Sequence, residues 1–166
     1  MKLTKWNSML KFTLTIVLIL GLGLMAGCGD DDDADPTTPG GGGSTPTGGT
    51  MSATCDGTPV DFGDDCTGLK TASTNEVVLV GGNSNNESLL ISGEGTTGSY
   101  TLNASSDASV TMVYNSAAWF CASGTLVVTT ATDTRMIGTF IGVFEDVQQN
   151  TMTVTNGAFD VPIVTN

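Results

Sequence analysis

The fold is decided by the runs Thr125-Leu-Val-Val-Thr-Thr130 and Arg135-Met-Ile-Gly-Thr-Phe-Ile-Gly-Val-Phe144, which a turn at Asp133-Thr134 separates. Apolar or small residues occupy every second position of both runs, and this is the pattern of β-strands with one buried face. In the second run that face carries Met136, Gly138, Phe140, Gly142 and Phe144. The two runs therefore predict neighbouring antiparallel strands whose phenylalanine rings enter a common core.

Turn-forming residues divide the rest of residues 51–166 into short runs rich in Val, Ile, Thr, Phe and Tyr. Each run has the length and composition of a strand, and none carries a helical period. The predicted strands are Glu76–Val80, Ser88–Ser92, Ser99–Asn103, Ser109–Tyr114, Thr125–Thr132, Arg135–Phe144 and Thr151–Thr155. The predicted fold is all-β, a single antiparallel β-sandwich or flattened barrel.

Asn156-Gly157 is a strong signal for a two-residue hairpin turn. It predicts a last strand around Phe159–Ile163 that pairs with Thr151–Thr155. Pro162 is expected to place this last strand at an edge or to end its pairing, because proline has no N–H to donate.

Residues 1–27 have the order of a secretory leader, basic, then apolar, then small. The apolar stretch from Phe12 to Met25 is shorter than the roughly 20 residues of a membrane span. The run Leu24-Met-Ala-Gly-Cys28 looks like a bacterial lipoprotein signal, in which Cys28 is acylated and becomes the first residue of the mature protein. An uncleaved N-terminal anchor is the alternative.

Residues 28–50 are predicted to be a tether between the lipidated cysteine and a domain at 51–166. An acidic run from Asp30 to Asp35 precedes a Pro-, Thr- and Gly-rich segment, and this composition cannot bury a core. The acidic run resembles the export signal of surface lipoproteins of Bacteroidota. We therefore expect an outer-membrane lipoprotein exposed at the cell surface, with a periplasm-facing location as the alternative.

The composition excludes several classes of function. The net charge is −12, and removal of the leader with its three lysines makes it −15 and leaves Lys70 and Arg135 as the basic residues. Nucleic-acid binding depends on Lys and Arg to neutralise phosphates, so no nucleic-acid partner is expected. The chain has no His, which removes the commonest general base at neutral pH and His-ligated metals. We expect neither catalytic residues nor a cofactor.

The densest group of carboxylates is Asp56, Asp61, Asp64 and Asp65, in and around a loop that precedes the first clear strand. Calcium takes about six to eight oxygen ligands, so it is the cation that this group would suit. The spacing does not match an EF-hand loop, and Asp is an ordinary turn residue. We therefore expect solvated turn carboxylates and no metal site.

Three cysteines remain after Cys28 is lipidated, which in an oxidising compartment predicts one disulfide and one odd thiol. Cys55 and Cys66 bracket the acidic loop, so we expect the disulfide between them. A pair that uses Cys121, or no bridge, are the alternatives.

Trp119 and Tyr114 are the candidate ligand-binding residues. Trp119 and Phe120 are adjacent on a predicted strand and point to opposite faces, so Trp119 is exposed if Phe120 enters the core. An exposed Trp119 beside Tyr114 and the asparagine-rich loop at 83–86 would form a sugar-stacking surface. Packing of these rings in the core or at an edge is the alternative.

Strand and turn motifs follow one another at Met51–Pro59, Gly98–Leu102, Gly124–Phe140 and Thr153–Pro162. Together, and in this order, they resemble a β-sandwich lipoprotein family of Bacteroidota known as a domain of unknown function. The resemblance implies the fold and supplies no catalytic residues. We expect a membrane-anchored lipoprotein with a non-catalytic binding or envelope-structural module, whose partner is a glycan or an envelope protein. A carbohydrate-binding accessory lipoprotein is the alternative.

Overall fold

The computed structural model describes residues 48–63 and 65–166. The predicted leader, the acylation site at Cys28, the tether up to residue 47 and Asp64 lie outside the described residues. The described backbone forms β1 (Thr50–Cys55), β2 (Thr58–Asp61), β3 (Thr67–Lys70), β4 (Glu76–Gly82), β5 (Ser88–Glu94), β6 (Gly98–Asn103), β7 (Ser109–Tyr114), β8 (Ala117–Ala131), β9 (Arg135–Glu145) and β10 (Thr151–Thr165). The predicted all-β fold is confirmed. In this part of the chain we find no helix with the length and apolar character needed to cross a bilayer.

Seven strands pair in a closed circuit, which runs through β10, β3, β4, β5, β7, β8 and β9 and returns to β10. The pairs are antiparallel except for β10 with β3, which is parallel. The β1–β2 hairpin extends the sheet from β10, and β6 extends it from β8. The result is a flattened barrel with two added edges, β2 and β6.

The longest strands, β8 and β10, hold this arrangement together because each pairs with three others. Along one edge, β8 pairs with β7 through Ala117–Phe120 and then with β6 through Ser123–Val128. In the same way β10 pairs with β1 through Val154–Asp160 and then with β3 through Ile163–Thr165. The remaining edges of both strands pair with β9, which lies between them.

The predicted inner face of β9 is confirmed, with Met136, Gly138, Phe140 and Phe144 buried. Two of the core phenylalanines lie over cross-strand glycines, since Phe159 pairs with Gly138 and Phe140 pairs with Gly157. A Cβ atom added to Gly138 would clash with the Val127 carbonyl oxygen and lie 2.5 Å from the Phe159 ring. The glycines therefore let the rings lie flat against the neighbouring strand.

The predicted hairpin turn at Asn156-Gly157 is wrong, because β10 continues through these residues to Thr165. The pairing register shifts between Val154 and Gly157, and Asn156 has a φ of 51°. A left-handed residue before a glycine also suits a β-bulge, in which one extra residue is inserted into a continuous strand. Pro162 is the last residue of the ladder with β9, as expected of a proline that ends pairing, but the strand then pairs with β3.

Strands β1, β2 and β3 form where the sequence indicated a loop and the end of a tether. Gly49 already pairs with Cys66, and Thr50 begins β1, so the sheet starts before the predicted boundary at Met51. These strands have four to six residues each, and their polar composition hides the alternation. Their inner positions, such as Met51 and Val60, are nevertheless buried.

We predict that Gly138→Ala lowers the free energy of unfolding by about 1–3 kcal/mol, because the added methyl group must displace the β8 backbone or the Phe159 ring. Urea unfolding measures this difference. The control is Thr139→Ala on the exposed face of the same strand, which should change the free energy by about 0.5 kcal/mol or less. Equal effects of the two substitutions would contradict the close contact.

Candidate functional site

The two candidate aromatic residues flank the tight turn between β7 and β8. Its central residues, Asn115 and Ser116, have φ angles of 50° and 62°, as a type I′ hairpin turn requires. Trp119 pairs with the buried Met112, so its indole lies on the inner side of the sheet. Phe120 pairs with the exposed Glu145 and faces outward. The orientation in which Trp119 is exposed and Phe120 enters the core is therefore reversed.

Both candidate rings are half-buried and pack against the core. The Trp119 Nε1–H donates a hydrogen bond to the Tyr114 carbonyl oxygen at 3.2 Å, which ties the indole across the hairpin. An outward-facing stacking surface is therefore not formed at Trp119. The two rings pack against the core instead, which was the alternative. An inward-facing indole with a satisfied N–H stabilises the hairpin.

The asparagine-rich loop joins β4 to β5, at the same end of the sheet as the β7–β8 turn. Asn83 uses both ends of its side chain amide. Its oxygen accepts the N–H groups of Asn85 and Glu87, and its nitrogen donates to the Asp61 carbonyl oxygen at 2.7 Å. This side chain shapes the loop and fastens it to β2, so it is not a free donor for a sugar.

The carboxylates of the predicted acidic loop do not converge in the described residues. Asp56 lies in the β1–β2 turn and accepts the Thr153 N–H at 2.8 Å. Asp61 lies at the opposite end of β2 and accepts the Gly63 N–H at 3.0 Å. Residues 48–63 and 65–166 contain no group of three His, Cys, Asp or Glu side chains arranged to hold a metal ion. The described members of the group serve as turn acceptors or, like Asp65, are exposed.

The interior of the barrel is filled by side chains. Its cavity near β4, β5 and β6 has a volume of about 10 Å³ and is lined by groups such as Val77, Ile91, Tyr100 and Met136. A single water molecule needs roughly 10–15 Å³. This cavity therefore cannot hold a small organic ligand.

An open depression of about 450 Å³ lies on the outside of the β1–β2 hairpin, next to the bulge in β10. Its lining is mixed: side chains such as Ser52, Thr54 and Asn156 present hydroxyl or amide groups, Asp61 presents a carboxylate, and Ala53, Pro59 and Val60 are apolar. Pockets that hold small molecules are predominantly apolar and enclose the ligand. This surface can form hydrogen bonds with a polar partner, but it does not bury one.

Both basic residues of the domain are ion-paired. Lys70 Nζ lies 2.7 Å from Asp133 Oδ1, and this hydrogen bond lowers the pKa of the Asp133 carboxyl group. Arg135 binds both carboxylate oxygens of Asp160, each at 2.7 Å. The carboxylate of each pair reaches solvent, although the Lys70 side chain is largely covered, so the pairs contribute little to stability. Each pair neutralises a cation that a phosphate would need.

The structure does not form the predicted Cys55–Cys66 disulfide. Cys66 pairs with Gly49, and Cys55 lies six residues farther along β1, roughly 20 Å away at about 3.3 Å per residue. A disulfide needs Cα atoms closer than about 7 Å. Cys55 is instead a free thiol whose Sγ lies 3.9 Å from Met112 Sδ, and Cys121 is also free. The Cys66 thiol donates to the Gly63 carbonyl oxygen at 3.1 Å.

Burial makes the two free thiols poor nucleophiles. It raises the pKa of Cys55 to about 11, and the nearby carboxylates of Asp56 and Glu87 act in the same direction. Burial also raises the pKa of Cys121 to about 11, against a smaller opposing effect of a backbone hydrogen bond at Ser123. Because the thiolate is the reactive form, both groups are almost wholly protonated and inert near neutral pH.

Comparison of the chain with protein-family models, curated proteins and solved structures finds no match.

We predict that iodoacetamide alkylates Cys55 and Cys121 of the native protein at pH 8 about 100-fold more slowly than in the urea-unfolded chain, because the raised pKa values lower the thiolate fraction by about that factor. Peptide mass spectrometry after timed quenching gives the rate at each residue. Raising the pH towards 11 should narrow the difference. Equal rates for native and unfolded protein at pH 8 would show that these thiols are accessible and ionised.

Proposed function

We propose that this chain is an outer-membrane lipoprotein, anchored through Cys28, whose β-domain is a non-catalytic binding or structural module of the cell envelope. The observation that carries the proposal is the order of residues at the N-terminus: a basic and apolar leader, Ala26-Gly27-Cys28, and an acidic run. One acyl chain binds a membrane marginally, whereas two or more give stable attachment. A fully acylated Cys28 would therefore retain the domain at the membrane permanently.

The described side chains support the non-catalytic part of the proposal through the roles that they already have. The Asp56 and Asp61 carboxylates accept turn N–H groups, and Asp133 and Asp160 pair with the two cations. The Cys55 thiol is buried and the Cys121 thiol is half-buried, and both are protonated near neutral pH. These groups maintain the fold, which is the behaviour expected of a scaffold.

The polar outer surface supports a role in contacts with other envelope components. The alternative of carbohydrate binding depends on an exposed aromatic ring, and the exposed large hydrophobic side chains of the described residues are aliphatic. Leu69 and Val164 are two of them, and they are direct neighbours on β3 and β10. A partner that recognises β-strand edges, hydroxyl groups and short aliphatic patches fits this surface better than a sugar ring does.

We predict that Cys28→Ala abolishes incorporation of labelled palmitate and leaves a longer precursor, because both acylation and cleavage require this thiol. Gel mobility and radiolabelling of cells that produce the full chain measure both effects. The matched control is Cys121→Ala, which removes a cysteine from the domain and should leave labelling and processing unchanged.

Equal palmitate labelling of the wild type and of Cys28→Ala would overturn the anchor. Proteinase K added to intact cells then separates the two faces of the membrane. Loss of the domain from intact cells indicates surface exposure, whereas protection until the outer membrane is permeabilised indicates the periplasmic face.

A further inference from the structure

The strands β4 and β5 carry apolar side chains at consecutive positions, in the runs Val77-Val-Leu-Val80 and Leu89-Leu-Ile91. Alternate members of each run are buried in the core. The members between them, Val78, Val80 and Leu90, lie on the outer face and are half-buried. Near-continuous apolar runs are typical of strands that are covered on both faces, whereas a solvated face carries polar residues. The outer face of these two strands therefore has the composition of a surface that a partner covers.

Apolar residues of the neighbouring strands extend this outer face on both sides. Leu69 of β3 pairs with Val78, and Val164 of β10 pairs with Leu69. Beyond β5, a single Thr111 on β7 separates the face from Phe120 on β8. The resulting apolar band crosses six strands, so at about 4.8 Å between strands it is about 24 Å long. The apolar band consists of Val164, Leu69, Val78, Val80, Leu90 and Phe120.

Carboxylates border the apolar band. Glu76 lies on the outer face two residues before Val78, directly opposite Glu94, and both glutamates are exposed. Glu145 is also exposed and lies opposite Phe120, at the β8 end of the band. Like charges directly opposite each other on neighbouring strands are destabilising. The border of the band therefore attracts a cation.

The described residues do not supply that cation. Lys70 is paired with Asp133, and Arg135 is paired with Asp160. Neither basic side chain is therefore left to neutralise the border in residues 48–63 and 65–166. A partner that covers the band can do so, because Lys and Arg form short, charge-assisted hydrogen bonds with carboxylates.

We propose that the apolar band binds a segment of another protein, whose own apolar stripe is bordered by Lys or Arg side chains. This inference rests on the binding role proposed above and states the chemistry of the partner. The charge of the border favours this occupant over two others. A second copy of the chain would bring the same carboxylates to the interface, and the anionic lipids of a membrane would be repelled by them.

The test uses the full chain in phosphatidylcholine nanodiscs and a labelled peptide as the probe. The peptide has leucines along one helical face and lysines elsewhere, and at about 1.5 Å per residue a length of about 18 residues spans the band. We expect fluorescence anisotropy to show binding above that of empty nanodiscs. The titration works whether acylated Cys28 or an uncleaved leader holds the chain in the disc. Failure of the peptide to bind is therefore distinct from failure of the lipid anchor.

Matched substitutions locate the surface that the peptide contacts. Val78→Thr with Val80→Thr replaces a methyl group by a hydroxyl group twice at the centre of the band, and should weaken peptide binding roughly tenfold. The control is Ile141→Thr with Val143→Thr, at two exposed aliphatic positions of β9 outside the band. It should change the affinity by about twofold or less. Urea unfolding confirms that both variants are folded.

A second peptide tests the role of the acidic border. It keeps the leucines and has glutamates in place of the lysines, so it should bind roughly tenfold more weakly than the lysine peptide. Glu76→Gln with Glu94→Gln removes the like charges that border the band. In this variant the affinities of the two peptides should move closer together.

Several outcomes would overturn the proposal. These are no binding of the lysine peptide, equal effects of the β4 and β9 substitutions, and equal affinities of the two peptides for the unmodified chain. Binding of phosphatidylglycerol vesicles that the β4 substitutions abolish would identify a membrane as the occupant of the band. A dimer that the same substitutions dissociate in sedimentation would identify a second copy. Either result also overturns a partner with a basic border.

Discussion

The structure depends on the length of β8 and β10, because each of these fifteen-residue strands pairs with three others. Their changes of partner, from β7 to β6 and from β1 to β3, allow one continuous sheet to return to itself. The strand between them, β9, must then lie close to both. Gly138 and Gly157 permit that closeness by leaving space beneath Phe159 and Phe140.

Closure of the sheet brings its buried side chains into one core. The side chains of the inner faces fill the barrel, and the described cavity near β6 has room for about one water molecule. This cavity cannot take a small organic ligand.

Hydrophobic alternation predicted β4 to β7 and β9 well, because each buries one face and polar residues mark the other. For β8 it predicted only the second half, Thr125–Thr132, whereas the strand begins at Ala117. The same local signals failed where tertiary pairing decides between two conformations. Asn156-Gly157 suits either a turn or a bulge, and only the pairing of β10 on both edges selects the bulge. Trp119 and Phe120 had to point to opposite faces, but the register with Met112 and Glu145 decides which one enters the core.

The candidate site was less predictable than the fold, because proximity in sequence does not imply convergence in space. Cys55 ends β1, and the segment that follows runs back along β1 as β2, so Cys66 lies beside Gly49 at the other end of β1 and the two side chains stay far apart. The parallel pairing of β3 with β10 closes the circuit of strands. Native-state hydrogen exchange of the backbone amides of Gly68–Lys70 is the most direct test of this closure. We expect these amides to exchange with the same free energy as those of β9, through global unfolding. Exchange at the rate of an exposed loop would contradict the closed sheet.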